Sequence, residues 1–250
     1  MVAQQYNLDV ISNNLANINT TSYKQQRAEF QDLMYQTFKA SGVTTGASTV
    51  NPTSLQVGLG SSFSSNAINF GAGPLQATGN PLDVAINGEG FFQVQRQDQL
   101  AYTRDGSFKR DANGLLVTSD GYPVLPEITI PAGATAIDIG NNGAVSAILP
   151  GTNEPTLLGQ LQLATFSNPA GLTRIGQNMY LPGGASGDAT LVNPGEAGGG
   201  DLKSRFLEGS NVQVVEEMVR MIMAQRAYEI NSKAIQTADD MLGQLNQLKR

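Results

Sequence analysis

The stretch Ser210 to Arg250, SNVQVVEEMVRMIMAQRAYEINSKAIQTADDMLGQLNQLKR, reads as one amphipathic helix. Ser210 and Gln213 have the spacing of a capping box, in which each side chain takes up an amide left unpaired at a helix start. Val212, Val215, Val219, Ile222, Ala227, Ile230, Ala234, Met241, Leu245 and Leu248 then recur at helical spacing, with one slip between Ile222 and Met223. Glu216 and Glu217 suit the positive end of the helix dipole, Lys249 and Arg250 the negative end, and Glu229 stands one turn from Lys233. About 39 residues at ~1.5 Å each span about 58 Å. Such length resembles a coiled-coil element more than a globular helix, and it needs a partner along most of its course.

The other end carries a shorter stripe, Leu8, Ile11, Leu15 and Ile18, which stops at Asn19, Thr20, Thr21 and Ser22, whose side chains compete for backbone hydrogen bonds. Both stripes could pack on the chain's own centre. Their positions at opposite termini, and the length of the second, favour packing against neighbouring subunits as a coiled-coil-like core.

Between them the signals change. From Leu82 to about Tyr180 apolar residues alternate, as in Val84 and Ile86, Phe92 and Val94, Ile128 and Ile130, Ile137 and Ile139, and Leu161 and Leu163. Asn87-Gly88, Asp105-Gly106, Asn113-Gly114, Asp120-Gly121 and Asn142-Gly143 supply the positive φ that tight hairpins require. The fold class is therefore mixed α and β: terminal helices, a central mainly antiparallel β-domain and an extended arm. The segments expected are a core helix over 1–19, a turn and Ser/Thr/Gly-rich arm over 20–81, the β-domain over 82–182, a Gly-rich connector over 183–209 and the second core helix over 210–250. For the arm two readings stand. It is a disordered linker, or it is ordered by neighbours through Leu55, Val57, Leu59 and Phe63.

Composition narrows the function. The net charge of -6 and a pI near 4.6 oppose binding to a phosphate backbone or an anionic bilayer surface. No stretch approaches the ~18 apolar residues that insertion into a membrane takes. Without His or Cys there is no imidazole base, no thiolate nucleophile and no usual zinc ligand. Asp105, Asp111 and Asp120 fall at turns, where acidic residues serve local geometry. Asp111-Ala112-Asn113-Gly114 opens like a calcium loop but lacks the later ligands. No catalytic site, metal or cofactor is expected. Met1 to Val10 lacks the basic and apolar regions of a cleavable secretory signal.

Ser12 to Lys24, SNNLANINTTSYK, with Asn14, Leu15, Ala16, Asn17, Thr20, Tyr23 and Lys24 at the informative positions, resembles the N-terminal signature of flagellar rod and hook proteins. Asp83 to Val94 (DVAINGEGFFQV), Tyr102 to Leu116 (YTRDGSFKRDANGLL) and Gln225 to Ile235 (QRAYEINSKAI) are similar to further stretches of that family. The length and the segment containing Asp32-Leu33-Met34-Tyr35-Gln36 look most like a distal-rod subunit, with proximal-rod and hook-type subunits as the alternative. The residues that ordinarily precede Gln4-Gln5 are absent, so the first helix is expected to be shortened.

The resemblance implies a stiff tubular drive shaft that transmits torque and forms an export channel, with the terminal helices inside and the β-domain outside. Implied partners are copies of the chain in a helical assembly, other rod and hook axial proteins, the surrounding ring proteins and the flagellar export apparatus. The implied location is the periplasmic rod of the basal body, reached by type III export without a cleaved signal peptide. From other classes, a cell-wall-polysaccharide-binding β-domain would need clustered aromatics, whereas Tyr and Phe here are scattered. A glycosidase working through carboxylates would need two facing acids.

Overall fold

The structure is a computed structural model and describes residues 2–41, 44–46, 49–50, 53–97, 99–151, 154–196 and 198–248. Two helices, α1 (Val2–Ala16) and α2 (Val214–Leu248), lie at the ends of the described chain, with short antiparallel strands between them. The fold is thus mixed α and β. The chain divides into one unit of Met1–Leu15, Gln26–Ala67 and Val214–Arg250, and a second of Ala16–Gln25 and Ile68–Gln213.

In the first unit the segment between the helices runs out and back as one antiparallel ribbon. Gln26–Asp32 pairs with Ser61–Ile68, Tyr35–Lys39 with Leu55–Gly58, and Thr44–Gly46 with Thr49–Val50. Leu33 N–H donates to Gly60 O and Leu59 N–H to Met34 O, which carries the pairing across the break between strands. The outer ribbon buries nothing: Tyr35–Lys39 and Leu55–Gly58 are exposed throughout. Its base is fixed by aromatics, since Phe63 stacks on Tyr6 of α1 at 5.1 Å and meets Phe30 edge-on at 6.2 Å.

The second unit is built on a seven-stranded sheet in the order Thr173–Gly176, Met179–Leu181, Gln99–Thr103, Phe91–Arg96, Leu163–Thr165, Thr190–Val192, with Val124–Leu125 also pairing to Phe91–Arg96. Successive residues on a strand face opposite ways, so Phe91 and Phe92 enter different cores. Phe92 joins Val84, Ile86, Phe108, Leu161 and Leu163, and packs edge-on against Phe108 at 5.0 Å. Phe91 joins Tyr102, Ala164, Phe166, Leu172 and Tyr180. Both faces of the sheet are therefore covered, and this explains apolar pairs where a half-exposed strand would alternate with polar residues.

Several expectations shift. Three short strands fall within 183–209, the stretch read as a connector: Thr190–Val192 extends the sheet, Asp201–Ser204 pairs with Val84–Asn87, and Phe206–Glu208 pairs with Leu75–Ala77. The second helix starts at Val214 and not at Ser210, because the residues before it are committed elsewhere. Gly209 N–H donates to Pro74 O, Asn211 N–H to Tyr23 O, and the Asn211 amide to Asn69 O and Gly71 O. Ser210 Oγ accepts from Val212 N–H, a local turn in place of a capping box. Val212 consequently lies ahead of the helix, buried, and off the stripe. Gly114, Gly121 and Gly143 take the expected positive φ, whereas Gly106 does not. Gly106 is required for space, since a Cβ there would stand 1.7 Å from Val84 O. Lys249 and Arg250 lie outside the described residues.

Candidate functional site

The signature segment ends in a buried charge cluster of the second unit. Lys24 Nζ donates to Glu208 Oε1 at 2.7 Å and to Gly71 O at 2.8 Å, and Arg104 Nε donates to Glu208 Oε2 at 2.9 Å. Gly73 N–H completes the carboxylate at 2.9 Å. Arg104 spends its other donors on Gly90 O, Gly88 O and Ile86 O, so the guanidinium also ties three points of one loop. All three side chains are almost fully buried. Two cations thus face one anion out of reach of water.

Charge in that setting shifts protonation. Burial, then the neighbouring Arg104, lowers the Lys24 ammonium from its usual value to about 8 despite the bond to Glu208. Burial alone would raise the Glu208 carboxyl, but Arg104 and then Lys24 hold it below the usual carboxylate range. Ser22 adopts a positive φ of 55° and is secured by its N–H to Glu208 O and its Oγ to Arg104 O. Next to it the Tyr23 ring lies under the Arg174 guanidinium at 5.1 Å. Thr20 Oγ1 donates to Asn17 Oδ1, closing the turn from inside. The signature turn is therefore a structural clasp, and its Lys meets a counter-ion 184 residues away in sequence.

In the first unit Asn14 is the corresponding point. Its amide copies a strand edge: Nδ2 donates to Gln26 O at 2.8 Å while Oδ1 accepts from Gln26 N–H at 2.9 Å. Nδ2 also reaches Glu217 Oε2 on α2 at 3.2 Å, and Arg220 holds the other carboxylate oxygen at 3.3 Å. Asn14 and Glu217 are both buried. A groove of about 410 Å³ runs beside this contact, lined among others by Val10, Ile11, Ala28, Met223, Ala224 and Ala227.

Along α2 the apolar side chains go mostly uncovered. Val215 is 76% exposed, Val219 46%, Ile222 56%, Ile230 65% and Met241 61%, and Ala234 is exposed too. Ala227 is half-buried. Leu245 and Leu248 belong to the helix, and their side chains lie outside the described residues. On α1, Ile11 is buried within its own unit, while Leu8 and Leu15 are half-buried; Ile18, in the second unit, is half-buried as well. Ala16 is exposed. Leu55, Val57 and Leu59 stand exposed on the ribbon, but Phe63 is engaged with Tyr6 and Phe30 of its own chain. Glu229 pairs with Arg226 at 3.3 Å.

Sequence reasoning missed Arg104, Glu208 and Glu217 as elements of these contacts. A buried Lys needs an opposite charge, which points to a carboxylate such as Glu208 but gives no sign of a second cation such as Arg104. Among the described residues no group of three or more His, Cys, Asp or Glu is placed to hold a metal ion, and no helix is long and apolar enough to cross a membrane.

Three family models match the chain. Residues 1–24 match the family model for flagella basal body rod proteins, residues 85–147 the D1 domain model of the flagellar hook protein FlgE/F/G, and residues 203–248 the C-terminal model of the flagellar basal body rod FlgEFG proteins. The flagellar basal-body rod protein FlgG of Borreliella burgdorferi is 50% identical over 253 residues, covering 100% of this chain and 96% of the relative. FlgG of Buchnera aphidicola subsp. Acyrthosiphon pisum is 49% identical over 98% of this chain and 95% of the relative. The rod protein FlgF of Caulobacter vibrioides is 34% identical over 96% and 93%.

Proposed function

From its membership of the FlgG family of flagellar basal-body rod proteins, which makes the chain a structural subunit of the flagellar basal body, we propose that it works by polymerising into the distal rod. The observation that carries this reading is the uncovered apolar surface of α2. Val215, Val219, Ile222, Ile230, Ala234 and Met241 are exposed on a helix of 35 residues, about 52 Å long at 1.5 Å per residue. A helix apolar beyond its own chain's contact face is made for burial by other chains.

In this reading α1 and α2 line the core of a helical assembly of identical subunits around an export channel. Adjoining rod and hook proteins, and the surrounding rings, meet its ends and outside. The exposed ribbon, through Leu55, Val57 and Leu59, fills space between neighbours and resists sliding, which makes the rod a stiff drive shaft. Export by the flagellar type III apparatus accounts for delivery to the periplasm. Neither catalysis nor a cofactor enters. Electron microscopy of the purified chain under assembly conditions tests this: straight tubular polymers are expected, and a chain that stays monomeric at all concentrations would overturn it.

A further inference from the structure

The first half of α2 is apolar on two sides, so burial of apolar area does not by itself decide which side meets α1. At about 100° per residue, Val215, Met218, Val219 and Ile222 share one face, and Glu217 and Ala224 lie roughly opposite. The first face offers four large apolar side chains, the second the Ala224 methyl and the half-buried Met221 beside a carboxylate. Area alone would turn the first face toward α1. The structure does the reverse: Glu217 and Ala224 are buried, and the four larger residues are exposed.

The contact that favours this arrangement is polar. Glu217 sits in the first turn of α2, where the helix dipole suits a carboxylate, and takes a hydrogen bond from Asn14 while Arg220 supports its other oxygen. Asn14 is itself held by two bonds to the Gln26 backbone, which fix its amide independently of the bond to α2. If α2 rotated to bury Val215 and Ile222, Asn14 would lose its bond to Glu217, and Glu217 would leave the contact. A buried polar pair that is satisfied in only one alignment selects that alignment at some cost in stability.

We propose that Asn14 and Glu217 form a face-selecting pin, which holds α2 with its less apolar side toward α1 and so keeps the Val215–Ile222 face free for a second copy of the chain. The part concerning a second copy rests on the assembly reading above; the selection of the face does not.

The chain has no cysteine, so a single introduced thiol reports its own environment. Maleimide labelling of Ala224→Cys and of Val215→Cys in the full chain should differ at least tenfold in rate, Val215→Cys being faster. Adding Glu217→Leu, or Asn14→Leu from the other side of the contact, should invert that ratio, slowing Val215→Cys while speeding Ala224→Cys. Glu217→Gln, which keeps an acceptor for Asn14, should leave it near that of the parent.

An unchanged ratio with both leucine variants overturns the pin. So does equally fast labelling of both positions in both variants, because the pair would then support folding and not choose a face. A ratio that inverts while polymerisation stays normal supports the pin and removes the assembly role of the Val215 face, so the two ideas fail separately.

Discussion

Replacing Glu208 by Gln should destabilise the second unit far more than replacing Lys24 by Met, although both remove one charge from the same cluster. Among the described residues Glu208 is the one carboxylate paired with these cations, Lys24 at 2.7 Å and Arg104 at 2.9 Å. Without it two cations face each other in a site closed to water, the circumstance in which removal of one partner costs about 3 to 5 kcal/mol. Lys24→Met instead leaves Arg104 and Glu208 as a one-to-one pair and relieves the burial of an ammonium. Gly71 O, which Lys24 also serves, keeps the Asn211 amide as a donor at 3.0 Å. Its cost should stay within about 1 kcal/mol, the range of one net hydrogen bond. Urea unfolding followed by far-ultraviolet circular dichroism would separate these. For an m-value of about 2 kcal/mol/M the Glu208→Gln midpoint should fall by about 1.5 to 2.5 M, and that of Lys24→Met by about 0.5 M or less. If Lys24→Met loses as much as Glu208→Gln, the cluster does not carry a surplus positive charge and the reasoning fails.

The same cluster sets a pH dependence. Between pH 8 and about 10.4 the unfolded chain still binds the Lys24 proton while the folded chain has released it, so stability of the parent relative to Lys24→Met should rise with pH, by on the order of 3 kcal/mol. Glu208, held low when folded, contributes stability above about pH 4.3 that is lost as pH falls through its folded value. Thermal melts of the parent against Lys24→Met in the alkaline window, and against Glu208→Gln in the acid window, check the two slopes, and parallel curves in either would count against that assignment. Gly106→Ala, whose Cβ would overlap Val84 O, should cost at least about 3 kcal/mol, and a melting temperature within a degree or two of the parent would show that the backbone yields there. Deleting Thr44 to Ser61 should give rods that form but are curved or fragile by cryo-microscopy, whereas straight rods of parental rigidity would remove the ribbon from the account of stiffness.

What was legible in the sequence was local. The stripe of α2, the alternation of Val84 and Ile86 or Phe92 and Val94, and the Asn-Gly turns each depend on residues a few positions apart, and these predict helix and strand well. Lys24 was visible as part of a signature but not as part of a clasp, because Arg104 and Glu208 lie 80 and 184 residues away from it and no periodicity links them. Ser210 and Gln213 misled for a related reason. Their spacing suits a cap, but Gly209 and Asn211 are drawn into long-range bonds with Pro74, Tyr23 and Asn69, and the helix waits until Val214. Phe63 looked like one of a regular series with Leu55, Val57 and Leu59, yet only a structure could bring Tyr6 over its ring. Which side of α2 meets α1 was also beyond a stripe of apolar residues, since Glu217 decides it through a side chain on the other helix.

Ile230→Glu tests most directly whether subunits join through the exposed face of α2. Ile230 is 65% exposed in the single chain, so a carboxylate there should leave folding of the second unit and its melting temperature unchanged. In the polymer it would be buried unpaired at every copy, a cost of several kcal/mol each. Cryo-microscopy of parent and variant at matched concentration should show rods for the parent and none for the variant. Rods of normal length from Ile230→Glu, with an unaltered second unit, would contradict the account.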